Sequence, residues 1–141
     1  MSELTVNITK IVKAPITKVF DAWLDPEMLA QFMRPSPKMV LSPTTNEAIV
    51  DGRFEILMKI GDKTIPHSGQ YLEIERPNKL VFTWVSPASM DDSVVTLTFT
   101  SIAENQTELN LNHIRFIDEE HRANHEGGWG RIIDCLIELL D

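Results

Sequence analysis

Four histidines, three tryptophans and one cysteine are the side chains of this 141-residue chain that bear first on chemistry. His121 and His125 stand four apart, so on a helix they share a face, a spacing that suits zinc. The HEXXH pattern is absent, and Arg122, Ala123 and Asn124 between them supply no ligand, so no metal is expected. His113 ends an apolar alternation after Leu109 and Leu111. A buried neutral imidazole needs a partner for its N–H. Two readings stay open for it: a core or rim histidine bonded to backbone, or a polar contact for the head group of a ligand. His67 follows Pro66 near a strand start, where it would sit solvated at a sheet edge or touch the same ligand. Trp84 and Trp129 read as core, yet an apolar binding site is itself a cavity lined by core-like residues. For these two, sequence does not separate a filled core from a hollow one.

The other chemistry-bearing groups point away from catalysis. There is no nucleophile elbow and no phosphate-binding glycine loop. Glu55, Glu73 and Glu75 fall opposite the apolar strand positions and are expected to face water. Asp134 reads as solvated or as the ion-pair partner of a basic strand residue. The lone Cys135 excludes an internal disulfide framework and a cysteine-based zinc site. With 13 basic and 21 acidic side chains the net charge is −8, which opposes binding to phosphate backbones, so no nucleic acid is expected. No apolar run approaches the roughly 18 residues of a membrane span. Met1-Ser2-Glu3-Leu4 lacks a basic region before an apolar core, so no secretory signal is expected. These features predict a soluble protein in a reducing, cytoplasmic setting.

The elements that position these residues follow from periodicity. Leu4 to Val12 alternates as a strand. Pro15 starts a short helix with Val19, Phe20, Trp23 and Leu24 on its apolar face. Asp25-Pro26-Glu27 starts a second, with Asp25 as N-cap, and Pro35 and Pro37 end it. Met39 to Leu41 is a short strand, followed by a turn at Ser42-Pro43. Asp51-Gly52 is a turn or bulge signal and Gly61-Asp62 a turn, on either side of a strand in which Phe54, Ile56, Met58 and Ile60 alternate with Arg53, Glu55, Leu57 and Lys59. Ile65 to Glu75 follows, with Gly69 as an expected bulge. Strands over Lys79 to Val85, Val94 to Ile102 and Thr107 to Ile114 complete an antiparallel meander, one face wet and the other covered. The two early helices look too short to cover it. The last segment carries Trp129, Ile132, Ile133, Leu136, Ile137, Leu139 and Leu140, a broad apolar face. Gly127-Gly128 before it lets the backbone bend or approach the sheet closely, and a short helical turn from Asp118 to Glu126 is expected to feed the main helix at an angle. The fold class is therefore α+β, a curved antiparallel sheet wrapped around one long C-terminal helix.

Four motifs in register make the chain resemble a known family. They are Ala14-Pro15 with Val19-Phe20-Asp21-Ala22-Trp23; Asp25-Pro26-Glu27; the run from His67-Ser68-Gly69-Gln70-Tyr71 through Arg76-Pro77-Asn78 to Phe82-Thr83-Trp84; and His125-Glu126-Gly127-Gly128-Trp129 continuing to Leu136. Together they resemble the family named for the activator of the heat-shock-ninety ATPase, within the START-like, or SRPBCC, superfamily. The resemblance implies one helix-grip domain over residues 1–141, with an apolar cavity between sheet and C-terminal helix. Two departures stand out. Phe32-Met33-Arg34-Pro35 occupies a place where members often carry tryptophans, which alters that end of the cavity. Asp51-Gly52 replaces a glycine pair.

Fold does not fix function in such a superfamily. The first reading is a binding protein for a small, mostly apolar molecule such as a lipid, polyketide or aromatic metabolite, needing no cofactor and no chemistry. Phe54, Ile56, Phe82, Trp84, Phe99, Trp129 and Ile133 are the expected walls, and Arg34, His67 and His113 the expected polar contacts. The second is an interaction module with a chaperone as partner, monomeric or homodimeric. A cyclase- or hydrolase-type enzyme ranks third, for want of an acid–base pair.

Overall fold

The computed structural model describes residues 4–34, 43–60, 62–85, 93–116 and 118–140. In chain order these form β1 (Thr5–Val12), α1 (Ile16–Ala22), α2 (Pro26–Phe32), β2 (Thr44–Asn46), β3 (Arg53–Ile60), β4 (Lys63–Glu75), β5 (Lys79–Thr83), β6 (Val94–Ala103), β7 (Gln106–Ile114) and α3 (Glu119–Leu140). The Met39–Leu41 strand, the Pro35 and Pro37 stop, and the Ser42 and Gly61 turn positions lie outside the described residues.

Strands β2 to β7 run as a meander, and β1 joins at the far side of β7, giving the order β1-β7-β6-β5-β4-β3-β2. Every pairing is antiparallel and the sheet is not closed. Period-two alternation sets the register. Val6, His113, Val95, Phe82 and Tyr71 line up across five strands as one buried row. Glu55, Glu73 and Glu75 face water, as their positions predict.

Cover for the inner face is shared, which the short early helices did not predict. Helix α3 buries Trp129, Ile132, Ile133, Leu136 and Leu140, and Lys10 Nζ on β1 meets Asp134 at 3.3 Å. Helix α1 packs on β6 and β7, with Phe20 edge-on to Phe99 at 5.2 Å. Helix α2 lies between α3 and β2. Its start follows the sequence closely: Asp25 accepts from the Glu27 and Met28 N–H groups and Pro26 takes the first turn. At the β1–α1 corner the buried Thr107 hydroxyl donates to the Ala14 carbonyl at 2.8 Å.

Two glycine expectations are corrected. The bulge in β4 lies between Tyr71 and Glu73, not at Gly69. Gly69 pairs with Phe54, and a Cβ there would overlap the Phe54 ring and the Thr83 carbonyl oxygen. The absent side chain leaves room for that ring against β4. Nor does Gly127-Gly128 divide the last helix, since α3 runs unbroken from Glu119 to Leu140. Asp118 stands just before it, and its carboxylate accepts from the His121 N–H at 2.9 Å. A Cβ on Gly127 would touch nothing within 4 Å, so no close approach explains that residue. Gly127→Ala is therefore expected to stabilise the fold by about 0.5–1 kcal/mol, because Ala loses less backbone entropy in a helix. Chemical denaturation checks this, and a loss of stability would contradict it.

Candidate functional site

Trp129 is the point where helix and sheet lock together. Its indole N–H donates to His113 Nδ1 at 3.0 Å. With Nδ1 accepting, the imidazole proton sits on Nε2, which donates to Ser93 Oγ at 3.2 Å. The Ser93 hydroxyl in turn donates to the Trp84 carbonyl, and the Trp84 N–H returns to the Ser93 carbonyl at 3.0 Å. All three side-chain groups are buried, and the chain ends on a backbone acceptor, so the network is satisfied. His113 is thus a core histidine, bonded to side chains rather than to backbone.

Aromatic rings close around this network. Trp129 lies 4.8 Å from Trp84 and 6.5 Å from Trp23, so all three tryptophans of the chain meet. His113 touches Phe116 at 4.5 Å and His125 at 5.4 Å. His67 is not a solvated edge residue: β4 has a neighbour on each side, and the imidazole is half-buried 5.2 Å from Trp84. Its Nδ1–H donates to the Ile65 carbonyl at 3.1 Å. Burial lowers the His113 pKa to about 3 and the His67 pKa to about 4, with nearby His125 adding a smaller push in the same direction. Burial also lowers His125, whose Nδ1–H donates to the His121 carbonyl. At neutral pH these imidazoles are uncharged hydrogen-bonding groups. His121 itself pairs with Asp118. Among the described residues no group of three or more His, Cys, Asp or Glu is placed to hold a metal ion.

A small cavity opens beside the lock rather than beneath Trp129. Phe54, Ile56, Tyr71, Phe82 and Trp84 line it from the sheet, and Trp23, Leu29 and Met33 from the α1–α2 corner. Its volume is about 10 Å³, room for roughly one water. No residue of α3 borders it among the described residues.

Four expected wall residues, Phe54, Ile56, Phe82 and Trp84, therefore meet at one cavity. Phe99 packs on Phe20, and Ile133 is fully buried on α3. Arg34 follows α2 and donates from Nε to the Gln31 carbonyl at 2.6 Å. Tyr71, Leu29 and Met33 also line the cavity without being among the expected walls, as does Trp23, whose spacing predicts only a helix core position. Tyr71 accepts from Asn46 Nδ2 at 3.1 Å, and the same amide donates to the Leu24 carbonyl at 2.8 Å.

Residues 13–141 match the family described as Activator of Hsp90 ATPase homolog 1-like protein. No curated protein matches the chain. Solved structures share the fold. A Chromobacterium violaceum protein has a TM-score of 0.81 at 22% identity, covering 96% of each chain. A Staphylococcus aureus protein of unknown function reaches a TM-score of 0.82 at 15% identity, covering 99% of this chain and 94% of its own. A protein described as an HSP90 activator from Plasmodium falciparum has a TM-score of 0.77 at 24% identity, covering 96% of this chain and 95% of its own.

Proposed function

The chain belongs to the Activator of Hsp90 ATPase homolog 1-like family, and on that premise we propose that it binds a small, mostly apolar molecule inside the helix-grip fold. The supporting observation is the cavity walled entirely by apolar and aromatic residues between the sheet and the α1–α2 corner. The guest enlarges this space by displacing Leu29 and Met33. Both belong to α2 or its C-cap, a seven-residue helix too short to hold by itself. Met33 also has an unbranched side chain that refills irregular gaps. No reaction is needed, and a cytoplasmic setting belongs to the same proposal.

Met33→Ala tests this. The variant is expected to lose about 2–5 kcal/mol, the usual result of truncating a buried large side chain. It should recover part of that loss with isopropylbenzene, which fills the space and stabilises by mass action. Melting curves with and without the compound read both effects. No ligand shift in wild type or variant would count against the proposal.

A chaperone partner is the second reading. Ile49, Val50 and Leu72 expose apolar side chains close together, because Asp51 N–H donates to the Tyr71 carbonyl. Stimulation of a chaperone ATPase that is lost on Ile49→Asp, with no ligand shift, would favour it.

A further inference from the structure

We infer that the free edge of β1 is a self-association surface, on which a second copy of this chain pairs its own β1 antiparallel and continues the sheet. An open sheet has two edges, and here they differ. One is β2, three residues long and packed against α2. Short, covered edges do not template pairing. The other is β1, eight residues from Thr5 to Val12. It pairs with β7 without a register shift, while the β4–β5 and β6–β7 pairs are each interrupted. It contains no proline. In an antiparallel ladder alternate residues turn their N–H and C=O away from the neighbour. From Val6 to Ile11 no β1 backbone group bonds outside the β7 pairing among the described residues.

Charge selects the occupant. The chain carries −8 overall, so two copies repel across most of their surface. The β1 strand, TVNITKIV, has no carboxylate. Its one charge, Lys10, already meets Asp134 at 3.3 Å, so pairing there buries no bare ammonium. Ile11 is 51% exposed and gains cover. The register follows from the same residues. Faces match only when opposed residues differ by an even number. Val12 is fully buried and its carbonyl accepts from the Ala14 N–H, which takes it out of the edge. The longest remaining match runs from Thr5 to Ile11 and is centred on Ile8. It sets Asn7 against Thr9 of the second copy and keeps the two Lys10 side chains apart. A single strand pair is a small interface, so a dissociation constant between about 1 μM and about 1 mM is expected.

Sedimentation velocity of the full chain across that range reads the dimer, and amide hydrogen exchange reads its place. The expected result is a mass that rises to that of a dimer, with exchange at alternate β1 amides slowed only at high concentration. Ile11→Lys should weaken dimerisation by about tenfold, since a lysine on an edge strand opposes pairing. The new lysine stands opposite Glu108 on β7, so the fold gains a cross-strand charge pair. Leu72→Lys, on β4, should leave dimerisation unchanged. Should Ile11→Lys fail to fold, the wild-type exchange pattern decides alone. A wild-type chain still monomeric at about 1 mM overturns the inference. So does a dimer that Leu72→Lys breaks and Ile11→Lys does not, or one formed without slowed exchange in β1.

Discussion

Between pH 7 and pH 4 the fold is expected to lose on the order of 5 kcal/mol of stability, chiefly through His113 and His67. In the unfolded chain both imidazoles titrate near 6.5; in the folded chain burial holds them at about 3 and about 4. The unfolded state thus binds more protons throughout that window. Stability is fully present above pH 6.5 and drains away as pH falls towards the folded values. Each tenfold difference in proton affinity corresponds to about 1.4 kcal/mol. His125, also lowered by burial, acts in the same direction. Urea midpoints at pH 7, 5.5 and 4 check this. His113→Gln should be less stable at pH 7 and fall off less steeply than wild type, which separates the imidazole from the carboxylates. A wild-type midpoint unchanged from pH 7 to 4.5 would contradict the expectation.

Trp129→Ala is expected to remove about 3–5 kcal/mol, and Trp129→Phe about 1–3 kcal/mol. The first deletes a buried ring that touches Trp84 at 4.8 Å and His113 at 6.0 Å. The second keeps an aromatic but removes the one N–H that donates to His113 Nδ1. That nitrogen would be left buried without a donor, which makes protonation there less unfavourable. So Trp129→Phe should also raise the His113 pKa, visible as an upward shift of the imidazole titration by NMR. A Phe variant as stable as wild type, with an unmoved His113 titration, would mean the indole bond contributes nothing.

The order of elements was legible because alternation reports burial directly. Val95, Leu97 and Phe99 on β6, and Leu109, Leu111 and His113 on β7, point inward as their spacing predicts. Asp25 caps α2 because its carboxylate accepts from the free Glu27 and Met28 N–H groups while Pro26 sets the first turn. Gly69 and Gly127-Gly128 were misread because glycine signals permission, not purpose. A bulge, a bend and a ring lying on bare backbone all admit it. The edge alternative for His67 fails because a Pro-flanked strand start resembles an edge, and strand order is not a local property. Ser93 gave no signal, since one serine outside any period becomes important only when β5 and β6 meet. Tyr71 had one, because it shares the inward face of β4 with His67 and Gly69. Met33 was visible as a departure from family pattern, but its place on the cavity wall needed α2 folded over β3.

The proposed function requires an apolar interior that a guest can enter beside Trp23. Its most direct test is a titration of isopropylbenzene into methyl-labelled protein followed by NMR. Saturable shifts are expected at the Leu29, Met33 and Ile56 methyls, with Ile49, Val50 and Leu72 unmoved. Shifts confined to those three exposed residues, or no shifts at all, would contradict it.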